Sequence, residues 1–486
     1  MGDFLLSDLP ESIFYQILSF LDTKDVIRVS TLSRRYRELC FSLPFLNAVV
    51  KEFDDEDEFS RFIEFLNWFM ALDFGDGDDY SMIKEVKVDI CCKNLGIDIG
   101  HVIVSRLREA ITRCNIEKIC LVLDGIDTLD LTNNVLGSES LRELEVKLGP
   151  DGDLILPTIN PFRGLVSLTL KLLRVSIQSF GEWISSCEKL KMLHLIGVVF
   201  MDKELNITSS SLEDLSIVNM KQYSVDEDFY IKVSAERLKL LRILWPNANP
   251  GNTPMYSLTL HAPNLQKFSW DGNVFHYSFD GKFESLLQSY ISLLPSPDVC
   301  KEHSALSNEI FAKAAQTICR VSSICITDHC VEEMSSRGLL PKFCNLRSLT
   351  LIRAGLCNNI TSTVDLLNST PHLNALKIGP KPYWLLYFID SSSTSSQAPV
   401  ETCYNAEYWE SQNLEFVHSL QEVEMKIDGD QEEIELIKFL LKKAKALKKM
   451  TVRYTSEGIR KHALIIAIVQ RLKIASSSIT IDFLPK

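Results

Sequence analysis

Four kinds of signal that would mark an enzyme, a metal protein, a membrane protein or a polyanion binder are missing from this sequence. There is no phosphate-binding loop with its lysine, no GxSxG, no HExxH, and no GxGxxG between a strand and a helix. The triplet Asp73-Phe74-Gly75 has no glycine-rich loop or catalytic-loop sequence before it. The 13 cysteines are odd in number, form no CxxC pair and share no zinc-ligand spacing with histidine. They read as buried thiols of a reducing compartment, and no RING-type zinc site is present. The apolar runs Tyr383–Ile389 and Ala463–Val469 are far shorter than the roughly twenty residues that span a bilayer. No basic region followed by a long apolar stretch opens the chain, and Leu6 stands where a myristoylation signal needs Ser or Thr. Positive charge is in short supply, with 51 Lys and Arg against 64 Asp and Glu, so the net charge is −13. Nucleic acid and anionic membrane would both be repelled, and neither is expected as a partner. No cofactor is expected either.

Apolar residues, by contrast, are plentiful at 46%, enough for a long core. They recur in one pattern: an apolar residue, two variable ones, an apolar residue, one variable, an apolar residue. It starts at Ile83, Ile116, Leu141, Leu165, Leu190, Leu212, Leu238, Leu265, Val321, Leu346, Leu373, Leu420 and Leu447. Most intervals lie near 25 residues, and the two long ones, 56 and 47, are close to twice that, as if each hid a degenerate repeat. This period is the signature of leucine-rich repeats. The last two apolar positions of each unit are two apart, so they point to one side of a short strand. Stacked units then give parallel strands on the concave face of a curved solenoid. Helices return outside, for instance at 101–114 and 176–187.

The alternation leaves the non-core strand positions on the concave face, where a protein substrate would dock. They include Glu143, Glu145, Lys147, Ser167, Thr169, Lys171, Met192, His194, Ile196, Asp214, Ser216, Arg242, Lys267, Ser269 and Asp271. Lys171, His194, Arg242, Lys267 and Asp271 are the candidate contacts. Two insertions interrupt the array. Residues 271–320 should hold a strand at 274–279 and helices near 283–294 and 308–318. Residues 379–416 include the serine-rich tract 391–396, read as a mobile loop. The acidic run 54–58 reads as a solvated loop, followed by a helix over 61–72.

The chain opens with SDLPESIFYQILSFLDTKDVIRVSTLSRRYRELC, residues 7–40. Pro10 suits a helix's first turn, and Ile13, Phe14, Ile17, Leu18 and Leu21 make an apolar stripe behind it. Asp22 or Thr23 can cap a second short helix, and Ser30 or Thr31 a third. Three short helices cannot bury all these side chains alone, so the surplus should face a partner. Leu9-Pro10, Ile17-Leu18, Lys24-Asp25-Val26 and Leu32-Ser33-Arg34-Arg35 resemble an F-box, with Tyr36 where that family usually has Trp. The resemblance implies docking to a Skp-type adaptor through Leu9, Pro10, Ile13, Ile17, Leu18, Leu21, Val26, Leu32, Arg35 and Tyr36, and through the adaptor to a cullin.

Near the other end, Tyr408-Trp409-Glu410 and Leu420–Val452 resemble the FBD module that closes many plant F-box/LRR proteins, although residues 413–417 lack its usual Pro and Cys. Physically it is one more repeat, with Glu432, Glu433 and Glu435 at the start of a helix and Lys442, Lys443 and Lys445 at its end, as its dipole favours.

The expected fold is α/β: an F-box over 1–48, a helical and acidic linker over 49–80, a repeat solenoid over 81–405, and FBD-like repeats with a cap over 406–486. The resemblance implies a non-catalytic substrate-recognition subunit of an SCF-type ubiquitin ligase, in the cytoplasm, the nucleus or both. The alternative is an interaction scaffold with a degenerate F-box.

Overall fold

The computed structural model describes residues 10–41, 43–50, 56–72, 83–91, 101–103, 105, 115–132, 139–156, 162–175, 180–219, 221–222, 229–245, 256–273, 276–279, 283–294, 304–352, 360–379, 406–427, 431–454 and 480–485. The chain divides into two compact units, Met1–Leu238 and Lys239–Lys486.

The N-terminal unit opens with three helices, α1 (Glu11–Leu18), α2 (Thr23–Ser30) and α3 (Arg34–Phe41). Asp22 caps α2, its carboxylate accepting from the Asp25 amide at 2.8 Å. The expected cap of α3 is displaced: the Ser33 hydroxyl, two or three residues later than foreseen, accepts from the Tyr36 amide at 3.1 Å. Phe14, Leu18, Val26, Leu39, Cys40 and Leu43 form the core of this helical group. Tyr36 stacks on Phe14 with ring centroids 5.1 Å apart and planes within 5°.

The third helix leads directly towards the sheet. Strand β1 (Phe45–Val50) follows at once and pairs in parallel with β2 (Glu85–Cys91). Helix α4 (Glu56–Leu72) lies between them in sequence. It begins at Glu56, so Glu56, Asp57 and Glu58 form its first turn instead of a loop, where the helix dipole favours carboxylates. Thr23 fastens α2 to β1. Its hydroxyl donates to the Asn47 carbonyl at 2.8 Å and accepts from the Asn47 amide at 2.9 Å. The Asn47 side-chain amide donates to the Leu21 carbonyl at 3.0 Å.

From β2 the sheet continues through β3 (Lys118–Asp124), β4 (Glu143–Lys147), β5 (Ser167–Lys171), β6 (Met192–Ile196) and β7 (Asp214–Val218). Each pairs in parallel with the next. The register aligns the repeat leucines, as with Leu121, Val146, Leu170, Leu195 and Ile217, all buried. Each buried Leu or Ile contributes about 1.5–3 kcal/mol relative to exposure.

The return path differs from the helices expected. After each of β3 to β7 the chain turns sharply into a second, outer parallel sheet made of 128–130, 153–155, 174–175, 199–200 and 221–222. A left-handed residue stands in every one of the five corners: Gly125, Gly149, Leu172, Gly197 and Asn219. The corners also hydrogen-bond from repeat to repeat, with the Gly149 amide donating to the Leu172 carbonyl at 2.8 Å and the Gly197 amide to the Val218 carbonyl at 2.7 Å. Of the predicted outer helices, the one over 176–187 is present as α5 (Phe180–Ser185), whereas most of 101–114 lies outside the described residues.

In the C-terminal unit nine parallel strands run in sequence: β8 (Leu240–Trp245), β9 (Lys267–Asn273), β10 (Gln288–Leu294), β11 (Ser323–Thr327), β12 (Ser348–Ile352), β13 (Ala375–Gly379), β14 (Glu422–Ile427), β15 (Lys449–Tyr454) and β16 (Thr480–Pro485). Here the returns are chiefly helical: α6 (Ser304–Ile318), α7 (Asp328–Ser336), α8 (Ile360–Asn368), α9 (Ala406–Ser411) and α10 (Gln431–Lys443).

The first long interval does hide a repeat. Residues 288–294, expected to be helical, are a sheet strand, and the middle core position of that repeat is Ser289, opposite Phe268. A serine there breaks the apolar pattern. The second long interval hides none, because β13 pairs directly with β14. The strand expected over 274–279 is present at His276–Phe279, and the serine tract 391–396 lies outside the described residues.

Two substitutions test this packing. A Cβ on Gly181 of α5 would stand 1.9 Å from the Asn206 carbonyl oxygen, so the helix must lie directly on that backbone. Gly181→Ala should lower stability by about 1–3 kcal/mol, read as a lower urea midpoint of the full chain. Thr23→Val keeps the side chain's shape but strands the half-buried Asn47 amide. It should cost about 1–3 kcal/mol and raise hydrogen exchange at Asn47, while Thr23→Ser should restore both.

Candidate functional site

Two surfaces carry the residues singled out by sequence. The first is the outer side of the N-terminal helices. The apolar stripe of α1 splits: Phe14 and Leu18 point into the core, whereas Ile13 and Ile17 stand 43% and 39% exposed. Phe20, just past α1, is 81% exposed and Leu32, between α2 and α3, is 72% exposed. Four large apolar side chains thus face water on three short helices, more than such a small group leaves exposed without a use for them. Pro10 and Arg35 are exposed alongside, and Leu21 and Tyr36 are half-buried against the core.

Leu18 and Val26, expected at the docking surface, are core residues at 1% and 2% exposure. Their place is fixed by helical periodicity, one turn on from Phe14 in the first case, and they can act only by holding the helices together. Leu9 lies outside the described residues. Sequence reasoning missed Phe20, although it follows Ile13 and Ile17 at steps of four and three, and that spacing was the available signal.

The second surface is the non-core face of the strands. In the N-terminal unit its charges largely neutralise one another across strands. Lys118 lies 3.1 Å from Glu85 and 3.8 Å from Glu143, and Lys171 lies 2.6 Å from Glu145. Burial pulls the Lys118 pKa down, but the hydrogen bond and charge of Glu85, with Glu143, outweigh it and leave the ammonium above its ordinary value. His194 Nε2 stands 3.6 Å from Asp214 Oδ1, an approach too long for a hydrogen bond, which leaves that buried nitrogen without one. Beside His194 the face also carries the uncharged Ser167, Thr169, Met192 and Ile196 on β5 and β6, with Lys171 in register with Ile196.

In the C-terminal unit Arg242 lies on β8 and Lys267 on β9, the latter exposed. Asp271 does not face a partner as expected. It is buried and accepts a hydrogen bond from the Tyr290 hydroxyl at 3.1 Å, because β10, the strand concealed by Ser289, lays Tyr290 beside it. Burial first, and the neighbouring Asp271 carboxylate second, push the Tyr290 phenol well above its usual pKa. Further along, Glu424 bridges Lys377 at 3.1 Å and Arg453 at 3.0 Å. Burial alone would raise its pKa, but the two cations outweigh that and hold it below the usual carboxylate value.

Burial also pushes the Cys120 thiol up to about 11, and those of Cys325 and Cys330 up to about 12, so all three stay protonated near neutral pH. Among the described residues no group of three His, Cys, Asp or Glu side chains could hold a metal ion. No described helix is long and apolar enough to cross a membrane.

Comparison with known proteins agrees with both ends of the chain. A family described as F-box-like matches residues 6–46, and one described as FBD matches residues 415–452. A putative F-box/FBD/LRR-repeat protein of Arabidopsis thaliana is 25% identical over 478 residues, covering 92% of this chain and 88% of the relative. A second from the same plant is 23% identical over 483 residues, covering 94% and 84%. An FBD-associated F-box protein of that plant is 23% identical and covers 92% of each chain. With an F-box-like segment on its first three helices and an FBD segment over β14, α10 and β15, the chain is similar over most of its length to plant F-box/FBD/LRR-repeat proteins.

Proposed function

We propose that this chain is a substrate-recognition subunit of an SCF-type cullin-RING ubiquitin ligase. The observation that carries the reading is the exposed set Ile13, Ile17, Phe20 and Leu32 on helices that match an F-box. A Skp-type adaptor would cover these side chains, and a cullin would join through the adaptor. The non-core strand face, around Lys171 and His194 in one unit and Arg242 and Lys267 in the other, would hold a protein substrate. The chain would then act by raising the substrate's concentration near a ubiquitin-loaded enzyme, and ubiquitin transfer itself would belong to partner subunits.

The test is co-purification of the full chain with a Skp-type adaptor, beside the variant Ile17→Asp, Leu32→Asp. Both residues are exposed, so the variant should keep the wild-type melting temperature. A one-to-one complex should form with the wild type and be lost in the variant. A folded wild type that captures no adaptor would sink the ligase reading and favour an interaction scaffold with a degenerate F-box.

A further inference from the structure

Lys442, Lys443, Lys445, Lys448 and Lys449 lie exposed within eight residues of a chain whose net charge is −13. The dipole of α10 accounts for the first two, which sit in its last turn. It does not reach Lys448 and Lys449, which lie five and six residues past the helix end at Lys443, and Lys445 stands just beyond that end. Neighbouring carboxylates neutralise the group only in part, through Glu410, which lies near enough to feel the charges of both Lys442 and Lys443. Lys442 pairs with Glu410, and Lys448 donates only to the neutral Gln421 side chain, at 2.9 Å. Lys443, Lys445 and Lys449 make no ion pair with any described residue, and Glu422, across from Lys449 in register, does not reach it. Elsewhere on the sheet Lys118, Lys171 and Lys377 each have a carboxylate partner, whereas here five neighbouring lysines share one ion pair with a described residue.

The segment is also held in one shape. Leu441, Ala444, Leu447 and Met450 recur every three residues and are all buried, which fixes the backbone and turns the lysines outward. Backbone hydrogen bonds from the Ala444 amide to the Leu440 carbonyl (2.8 Å) and from Leu447 to Ala444 (3.2 Å) carry the chain from helix to strand. Like charges gathered this closely repel one another, and a fixed scaffold keeps them from spreading apart.

We propose that this edge of the FBD segment docks an acidic polypeptide, a segment rich in Asp and Glu on a partner protein. Its chemistry favours that occupant over nucleic acid. The cluster is all lysine, with no arginine fork for phosphate. Among the described residues, Phe416 and Phe439 are buried and Tyr408 is half-buried, so none presents a fully open ring to stack a base. A backbone of phosphates would also meet the field of the whole chain at −13, whereas a short acidic segment meets mainly the local patch. The inference goes beyond the ligase reading and stands whether or not an adaptor binds.

Fluorescence anisotropy on the full chain tests it with three labelled probes of equal length: an alternating Glu-Ser peptide, a Gly-Ser peptide and single-stranded oligothymidine. The acidic peptide should bind, and more weakly as salt rises. The variant Lys443→Glu, Lys445→Glu, Lys449→Glu should weaken that binding by about tenfold or more. Lys24→Glu, Lys189→Glu, Lys342→Glu, with the same change in net charge at exposed positions remote in sequence, should leave it within about twofold. Equal affinities for the wild type and the patch variant, no binding of the acidic peptide, or tighter binding of oligothymidine would each overturn the proposal. Matched melting temperatures for the two variants separate loss of the site from loss of the fold.

Discussion

Parallel strands impose a cost that antiparallel ones do not: before a strand can pair with its successor, the chain must travel back the whole length of the sheet. Everything regular in this protein answers to that requirement. The repeat length is the distance out along a strand and back again, and the leucines are the residues the round trip places under the sheet. The two units meet it differently. In the first, short outer strands run back over the core after corners in the left-handed conformation. In the second, the strands Tyr256–His261 and His276–Phe279 make the first two returns and helices make most of the rest. Leu172 shows how firmly the first solution is imposed, since a leucine there accepts a conformation that costs an L-residue about 1–2 kcal/mol.

The same sheet gives the N-terminal helices their setting. Because β1 continues directly from α3 and pairs with β2, the helical group ends within the sheet. Thr23 and Asn47 then tie α2 to that strand through a reciprocal, half-buried pair of hydrogen bonds. The exposed residues of the helices and the faces of the first strands therefore belong to one body.

Periodicity made most of this legible beforehand. An apolar residue at nearly constant intervals locates a buried strand without reference to its neighbours, and the strands of the array lie where the pattern places them. What escaped was decided by contacts distant in sequence. Ser289 occupies a core position that only the register against Phe268 identifies, so β10 and its Tyr290 were lost, and with them the reason Asp271 is buried. The outer strands, two to three residues long, are too short to show an alternation and exist because each pairs with the one in the next repeat. Glu56, Asp57 and Glu58 looked like a solvated run because charge density alone cannot tell a loop from a helix's first turn. The docking residues divided for a simpler reason. An apolar stripe on a short helix says which residues avoid water, and not whether its neighbours or a partner will cover them.

Continuity between helix and sheet also bears on how the chain can be divided. A fragment ending at residue 48, the expected end of the F-box, would cut β1 in two and carry away Asn47 while leaving β2 without its neighbour. Both pieces would expose a torn strand edge, the kind of surface that pairs with other chains. The natural seam is farther on, and the smallest portable form of the N-terminal helices includes the strand they are fastened to.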